Sequence, residues 1–136
     1  TVLDISAKAI ERAKSRLGAN ANKVNWVVSN VVDFKPERKY QLWHDRASFH
    51  FQTNAGQIEK YKEVVRSATS SGSKAVIATF SENGPTKCSG IPITQYSKET
   101  LAGSFDFLES IECNEHDHPT PFDTTQKFNY CLFKAN

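Results

Sequence analysis

Short apolar runs alternate with amphipathic segments along this chain, and that alternation constrains its fold more than any other feature. Residues 24–28 (VNWVV) and 74–80 (KAVIATF) are mostly apolar and β-branched, a pattern typical of a strand buried on both faces. Residues 6–17 and 57–70, which precede these runs, place apolar side chains three and four positions apart, as in a helix with one buried face. Strands connected through helices predict a parallel sheet.

The remaining segments extend this pattern to the whole chain. We predict further strands at residues 1–4, 40–46, 107–113 and 126–134, a short helix from Ser97 to Leu101, and loops at residues 82–92 and 115–122. The last two strands are expected to form an antiparallel pair. The sequence therefore predicts one α/β domain over residues 1–136, with a Rossmann-like, doubly wound, mostly parallel sheet and an antiparallel C-terminal strand.

Polar residues stand at the carboxyl ends of the predicted strands, where sheets of this kind bind their ligands. Asp4 ends the first strand, and an acid at this place in a doubly wound fold accepts hydrogen bonds from a ribose. The alternative is an acid that only stabilises the N-terminus of the next helix. The strand ends that we expect to converge on one crevice are Asp4–Ile5, Ser29–Val31, His44–Arg46 and Phe80–Ser81.

Charge and composition argue against several functions. Lys and Arg number 17 against 15 acids, and a net charge of +2 is too balanced to favour nucleic acid or an anionic membrane. No apolar run reaches the roughly 18 residues of a membrane span. Three cysteines without close spacing predict reduced thiols in a cytoplasmic protein. Cys113, His116 and His118 do not have the spacing of a standard zinc site, so we expect no metal.

Six stretches of the sequence carry a family resemblance: VLDIS, AIERAKSRL, VNWVVSNVVDF, YQLWHDRASFHF, ATFSENGPTKCSG and PTPFDTTQKFNYCLF. The resemblance runs from Thr1 to Phe133. Through them the chain resembles the class I S-adenosylmethionine-dependent methyltransferases. The WHDRASFHF stretch is similar to the thiopurine-type branch of that superfamily, whose members act on small molecules and carry an Asp-Arg pair at this place.

The resemblance implies S-adenosylmethionine as the cofactor and a small molecule as the methyl acceptor. The cofactor-binding residues that it implies are Asp4 for the ribose hydroxyls, Ile5 for the adenine face, Asn30 and Val31 beside the adenine, and His44 beneath the methionine part. Asp33 is the alternative to Asn30 for binding the adenine amino group. The implied reaction is a direct displacement of the methyl group from a sulfonium.

The resemblance also implies an acceptor site. Asp45 and Arg46 match the catalytic pair that the resemblance implies, in which Asp45 or a pocket histidine is the general base and Arg46 orients an anionic acceptor; the alternative is a pocket that only positions the acceptor. The residues expected to line the acceptor pocket are Arg46, His50, Cys88, His116 and His118. Structural alternatives stay open: an ion pair of Arg46 with Asp45 or with an acid on a helix, a buried histidine with satisfied hydrogen bonds at His50, and a buried neutral thiol at Cys88.

The family's glycine-rich turn, with its first strand and helix, has no counterpart here. Since the chain begins with the strand that ends at Asp4 and contains no Met, we expect it to be part of a longer protein. There are two alternatives. The strands on either side of the missing first strand pair directly with each other, or a second copy of the chain completes the sheet through exposed edges and forms a homo-oligomer. Two other interpretations are a non-catalytic methyltransferase-like remnant and a nicotinamide-dependent Rossmann domain. The WHDR stretch argues against the nicotinamide-dependent domain.

Overall fold

The computed structural model describes residues 1–136, which form two compact units, Thr1–Lys35 and Pro36–Asn136. The first unit consists of strand β1 (Val2–Asp4), helix α1 (Ala7–Leu17) and strand β2 (Trp26–Val28), with two short 3-10 turns at Gly18–Lys23 and Val31–Asp33. Its two strands run parallel, and Asp4 pairs with Val28 at their carboxyl ends. This unit is a β-α-β crossover, as the sequence predicts.

Helix α1 begins and ends at the residues that the sequence indicates. The Ser6 hydroxyl accepts a hydrogen bond from the Ala9 N–H at 3.2 Å, which caps the first turn. At the other end Gly18 has φ +53°, and its N–H donates to the carbonyl of Lys14. A residue with a side chain is strained at such a φ, so glycine fits the end of this helix. Ile10 is the buried residue of α1.

The second unit contains a four-stranded sheet with helices. Its elements are β3 (Leu42–Arg46), α2 (Ala55–Ala68), β4 (Lys74–Phe80), β5 (Lys87–Cys88), β6 (Ile91–Pro92), α3 (Lys98–Gly103), β7 (Leu108–Pro119) and β8 (Thr125–Ala135). The sheet order is β3-β4-β8-β7. Strands β3 and β4 are parallel, whereas β8 runs antiparallel to both β4 and β7.

An aromatic core fills the second unit. Its fully buried rings are those of Phe49, Tyr61, Phe105 and Phe133. The centroid of the Phe49 ring lies 4.8 Å from that of Tyr61 and 4.9 Å from that of Phe105. Phe105 in turn lies 5.3 Å from Phe133 of β8. Losing one such ring costs about 3–5 kcal/mol. Because Phe49 follows the end of β3 by three residues, this core also holds the tip of that strand in place.

The predicted fold class is confirmed: parallel pairs linked through helices are followed by an antiparallel C-terminal pair. Two predicted loops are partly strand. The predicted loop at 82–92 contains the small hairpin β5-β6, and the predicted loop at 115–122 is strand as far as Pro119. β7 is an edge strand whose polar residues face solvent while its backbone pairs with β8 up to Thr125. Polarity alone therefore did not distinguish this strand from a loop.

The prediction of three reduced thiols is wrong for two of them. Cys113 and Cys131 form a disulfide with a Cα–Cα distance of 4.1 Å, whereas Cys88 is free. The two bonded residues are direct partners in the β7-β8 register. They are 18 residues apart in sequence, so their spacing did not indicate that they are neighbours on adjacent strands. The cytoplasmic location stays a prediction.

None of the helices combines the length and the apolar character that crossing a bilayer requires. The sequence predicts one mostly parallel sheet. In the structure β1 pairs with β2 in one sheet, and β3 pairs with β4 in another. The single domain over residues 1–136 and the homo-oligomer through exposed edges stay predictions.

Candidate functional site

In the first unit, four predicted cofactor-binding residues gather at one edge of the β1-β2 pair. Asp4 and Ile5 follow β1, and Asn30 and Val31 follow β2 by two and three residues. The Ser29 N–H donates to the Asp4 carbonyl at 3.1 Å, which continues the parallel pairing to this edge. The two strand ends are thereby adjacent, as expected for the carboxyl ends of parallel strands.

The Asp4 carboxylate is held in place but not saturated. Its Oδ1 accepts a hydrogen bond from the Ser6 N–H at 2.7 Å. No second hydrogen bond is made to this carboxylate, so Oδ2 can accept a hydroxyl from a ligand. Ile5, the next residue, is 70% exposed, an unusual state for a large apolar side chain. An acceptor beside an exposed apolar surface suits a ribose with its attached base.

Asn30 caps the turn that follows β2. Its Oδ1 accepts from the Val32 N–H at 3.3 Å, and its side-chain NH₂ makes no hydrogen bond. The amide can therefore offer a donor, whereas the sequence suggested an acceptor. Val31 beside it is buried. Asp33, the alternative to Asn30, ends the same turn and is exposed.

In the second unit, Asp45 occupies the buried face of β3 near its end. Its carboxylate accepts three hydrogen bonds: from the Ser48 N–H at 2.8 Å, from the Phe49 N–H at 3.0 Å and from the Tyr61 hydroxyl at 2.5 Å. The Trp43 Nε1–H donates to the same hydroxyl at 3.0 Å. Burial raises the pKa of Asp45, against the effect of these hydrogen bonds. Burial and the adjacent Asp45 raise the pKa of Tyr61 as well.

These hydrogen bonds fix the backbone that leaves β3. Ala47 has φ +68°, a left-handed conformation that costs a residue with a side chain about 1 kcal/mol or more. The two backbone N–H donors to Asp45 lie directly after Ala47 and hold this conformation. The geometry therefore gives Asp45 a positioning role. Its role as a general base stays a prediction.

Arg46 lies on the opposite face of β3 and makes no salt bridge. Its guanidinium carbon is 5.8 Å from the ring centroid of Phe128, and its Nη2 is 3.5 Å from Nε2 of His118. The alternative of an ion pair with Asp45 is thus not found. His44, two residues before Arg46 on the same face, is exposed.

A small apolar cluster, which we call the aromatic floor, lies under Arg46. It consists of the buried residues Ala78, Phe80 and Phe128, with Ala47, Cys88, Ile93 and Tyr130 packed around them. The predicted acceptor-site residues all touch it. His118 and Arg46 contact Phe128, His116 contacts Tyr130 at 5.7 Å, and His50 contacts Phe80 at 4.8 Å between ring centroids. Arg46 and His50 thereby meet Cys88, His116 and His118 around one apolar cluster.

His50 is the buried member of this group. Its Nδ1 accepts from the Phe80 N–H at 3.2 Å, and its carbonyl accepts from the Thr94 N–H at 2.8 Å. Since Nδ1 is an acceptor, the ring proton of the neutral side chain is on Nε2, which has no partner. Burial lowers the pKa of His50 to about 4. The expected buried histidine is found, but its hydrogen bonds are only half satisfied.

Sequence reasoning missed a polar network beside this surface. Glu115 accepts hydrogen bonds from the Ser81 hydroxyl and from Asn83, which lower its pKa. Lys127 binds Asp117 at 2.7 Å. Asn83, Lys127 and Asp117 belong to an open groove of about 310 Å³. Because the charges in this groove already neutralise each other, it is not the candidate site. The pairing of β7 with β8 brings these residues together, and no local sequence pattern links them.

Comparison with known proteins supports the resemblance. No protein-family model matches the chain. Malonyl-[acyl-carrier protein] O-methyltransferase 1 of Ilyobacter polytropus is 40% identical over 50 residues, which are 37% of this chain and 18% of that enzyme. The N-methyltransferase NodS of Bradyrhizobium japonicum superimposes with a TM-score of 0.73 at 13% identity, over 98% of this chain and 71% of NodS. This chain has the fold of S-adenosylmethionine-dependent methyltransferases.

Other solved structures agree. A methyltransferase of Methanosarcina mazei gives a TM-score of 0.74 at 10% identity and covers 98% of this chain and 80% of its own. NodS has also been solved with S-adenosyl-L-homocysteine, and that structure gives a TM-score of 0.71 at 12% identity, over 98% of this chain and 65% of NodS. The predicted methyltransferase resemblance is thus confirmed, while the thiopurine-type branch stays a prediction. The chain spans less than a fifth of the curated relative that it matches.

Proposed function

We propose that this chain binds S-adenosylmethionine and belongs to an enzyme that transfers its methyl group to a small-molecule acceptor. The observation that carries the proposal is the Asp4 carboxylate, which stands at the carboxyl end of β1 with one oxygen free to accept hydrogen bonds. The methyltransferase fold over 98% of the chain supports it. In this fold class an acid at that place accepts hydrogen bonds from a ribose.

The residues at this edge fit an adenosine group. Asp4, whose Oδ2 is free, would accept from the ribose hydroxyls, Ile5 would cover one face of the adenine, and the unpartnered NH₂ of Asn30 would donate to a ring nitrogen. Val31 supports the turn from the buried side. S-adenosylmethionine supplies an electrophilic methyl group when bound. His44 remains our candidate for the methionine part, on the basis of its place on β3.

The acceptor is assigned to the second unit. The partly buried residues around the aromatic floor, such as Tyr130, offer apolar surface to a bound molecule, and Arg46 is the charged group beside them. Holding the acceptor in line with the methyl group supplies most of the acceleration in such a displacement, since no oxyanion develops. Asp45 contributes by fixing the turn after Arg46. An acceptor that is already anionic needs no general base.

Calorimetric titration of the full-length protein with S-adenosylhomocysteine tests the proposal. Asp4→Asn keeps an oxygen for the Ser6 N–H but removes the charge, so we expect affinity to fall about 10- to 100-fold, the value of hydrogen bonds to a charged group. Glu11→Gln is the matched control, because it removes one exposed acid from α1 of the same unit. Equal affinity of wild type and Asp4→Asn, or binding of NAD⁺ in place of S-adenosylhomocysteine, would contradict the assignment.

A further inference from the structure

Helix α1 carries a row of cations on its outer side. Lys8, Arg12 and Arg16 are all exposed and stand four residues apart, so they follow one another along the helix axis at about 6 Å and span about 12 Å. Each step of four residues turns by only about 40°, which keeps the three side chains on one side of the helix. That side faces away from Ile10, the buried residue of α1. We call Lys8, Arg12 and Arg16 the basic row.

The basic row has no acidic partner. The one salt bridge of α1 joins Lys14 to Glu11 at 3.2 Å, and no salt bridge of the chain includes a member of the row. Cations on α2 are in a different state, because Lys62 and Arg66 each contact two acids. The charge of the basic row is therefore available to another molecule.

The basic row does not help α1 to fold. Like charges four residues apart on a helix repel each other. Lys8 lies in the first turn, where the helix dipole favours an acid and where α1 has none. Arg16, in the last turn, is the member of the row that the dipole stabilises. Because most of this arrangement opposes helix formation, it fits an interaction with a partner better than a structural role.

The charge and the surroundings of the basic row indicate the chemistry of that partner. Residues 1–35 contain six Lys and Arg against three acids, so the first unit carries a charge of +3 while the whole chain carries +2. The row is flanked by Glu11 and Ser15 on one side and by the small side chains of Ala9 and Ala13 on the other. It thus lacks the broad apolar face with which a helix enters a lipid surface. Three cations are also few for nucleic acid, whose affinity grows with the number of phosphates neutralised.

We propose that the basic row is a docking surface for an acidic helix of a partner protein. Carboxylates at every fourth residue of a partner helix recur at the same spacing of about 6 Å, so each cation of the row can pair with one of them. Exposed ion pairs are individually weak and are screened by salt, which suits a transient complex whose formation is steered by charge. The inference does not depend on the proposed function, because no member of the row belongs to the candidate site.

Two synthetic helical peptides are the probes for this surface. One carries Glu at three positions spaced four residues apart, and the other carries Gln at the same positions. Each is titrated into the isotope-labelled full-length protein, and backbone amide shifts are followed by NMR. At about 0.01 M salt we expect the Glu peptide to bind at least about tenfold more tightly than the Gln peptide and to shift the amides of α1. At about 0.15 M salt its affinity should fall about tenfold.

A triple substitution in the row should weaken binding of the Glu peptide at least about tenfold: Lys8→Gln, Arg12→Gln and Arg16→Gln. The matched control removes three exposed and unpaired cations from the second unit and should bind like the wild type: Lys60→Gln, Lys98→Gln and Lys134→Gln. Thermal melting gives a second readout. Because the substitutions in the row relieve repulsion, they should leave the melting temperature unchanged or raise it.

Charge reversal tests whether the pairing is specific. Arg12→Glu should weaken binding of the Glu peptide, and a peptide with Arg at the central position should recover at least about tenfold with this variant. Several results would overturn the proposal: equal binding of the Glu and Gln peptides, an equal loss in the control variant, no recovery on charge reversal, or a lower melting temperature of the row variant. Tighter binding of duplex DNA or of phosphatidylserine vesicles through the row would reject the acidic helix as its partner.

Discussion

Protonation of His50 should destabilise the fold, because this side chain is buried and has no place for a second proton. Nδ1 accepts the Phe80 N–H, so a proton there would remove that hydrogen bond and leave a charge between Phe51 and Phe80. Burial accordingly lowers the pKa of His50 from 6.5 to about 4. In the unfolded chain the same side chain takes up its proton near pH 6.5.

The sign and size of the effect follow from this difference. Between pH 6.5 and about 4 the unfolded state binds the proton and the folded state does not, so acidification favours unfolding. At about 1.4 kcal/mol for each unit of pKa, the complete loss is about 3.5 kcal/mol, of which about 3 kcal/mol has developed at pH 4. It is absent above pH 6.5 and complete below about pH 4. A domain of this size is stable by only about 5–15 kcal/mol, so the loss is measurable.

His50→Asn provides the comparison. The Asn Oδ1 can accept the Phe80 N–H as Nδ1 does, but the side chain does not titrate. We expect the free energy of unfolding from urea titrations to fall between pH 7 and 4 by about 3 kcal/mol more in the wild type than in the variant. Contributions from carboxylates cancel in this difference. Parallel pH profiles, or an NMR titration of the His50 ring with a midpoint near 6.5, would refute the reasoning.

Three further changes test the tip of β3. Tyr61→Phe removes the hydroxyl that joins Asp45 to Trp43, and we expect it to cost about 1–3 kcal/mol in urea unfolding; a loss below about 0.5 kcal/mol would contradict the network. Ala47→Gly should be neutral or stabilising by up to about 1 kcal/mol, whereas Ala13→Gly in α1 should destabilise by about 1 kcal/mol, as calorimetric melting can show. Arg46→Gln should raise KM for the methyl acceptor and leave cofactor affinity nearly unchanged; equal losses in both would make it a structural residue.

Local signals in the sequence predicted most elements of the fold. Ser6 and Gly18 bound α1 because a hydroxyl caps a first turn and glycine tolerates a positive φ. Ser97 caps α3 with the reciprocal hydrogen bonds of a capping box. Such signals act within a few residues, so they can be read without the structure. The disulfide and the length of β7 depend instead on the β7-β8 register, which no short segment encodes.

The candidate site divides in the same way. The positions of Asp4, Asn30 and Arg46 at strand ends follow from the order of the elements, and the sequence placed them correctly. The contact of Arg46 with His118 depends on the path of β7, which starts 62 residues later, so it could not be predicted. The unpartnered Nε2 of His50 likewise results from tertiary packing.

The adjacent pair Asp45-Arg46 shows why a motif is not a mechanism. Successive residues of a strand point to opposite faces, so the two side chains cannot share one site. Asp45 faces the core, where three hydrogen bonds occupy its carboxylate. Arg46 faces the aromatic floor and retains free donors. The buried acid therefore sets the shape of the turn, and the exposed Arg46 keeps donors for a ligand: the motif is a unit because the first residue positions the second.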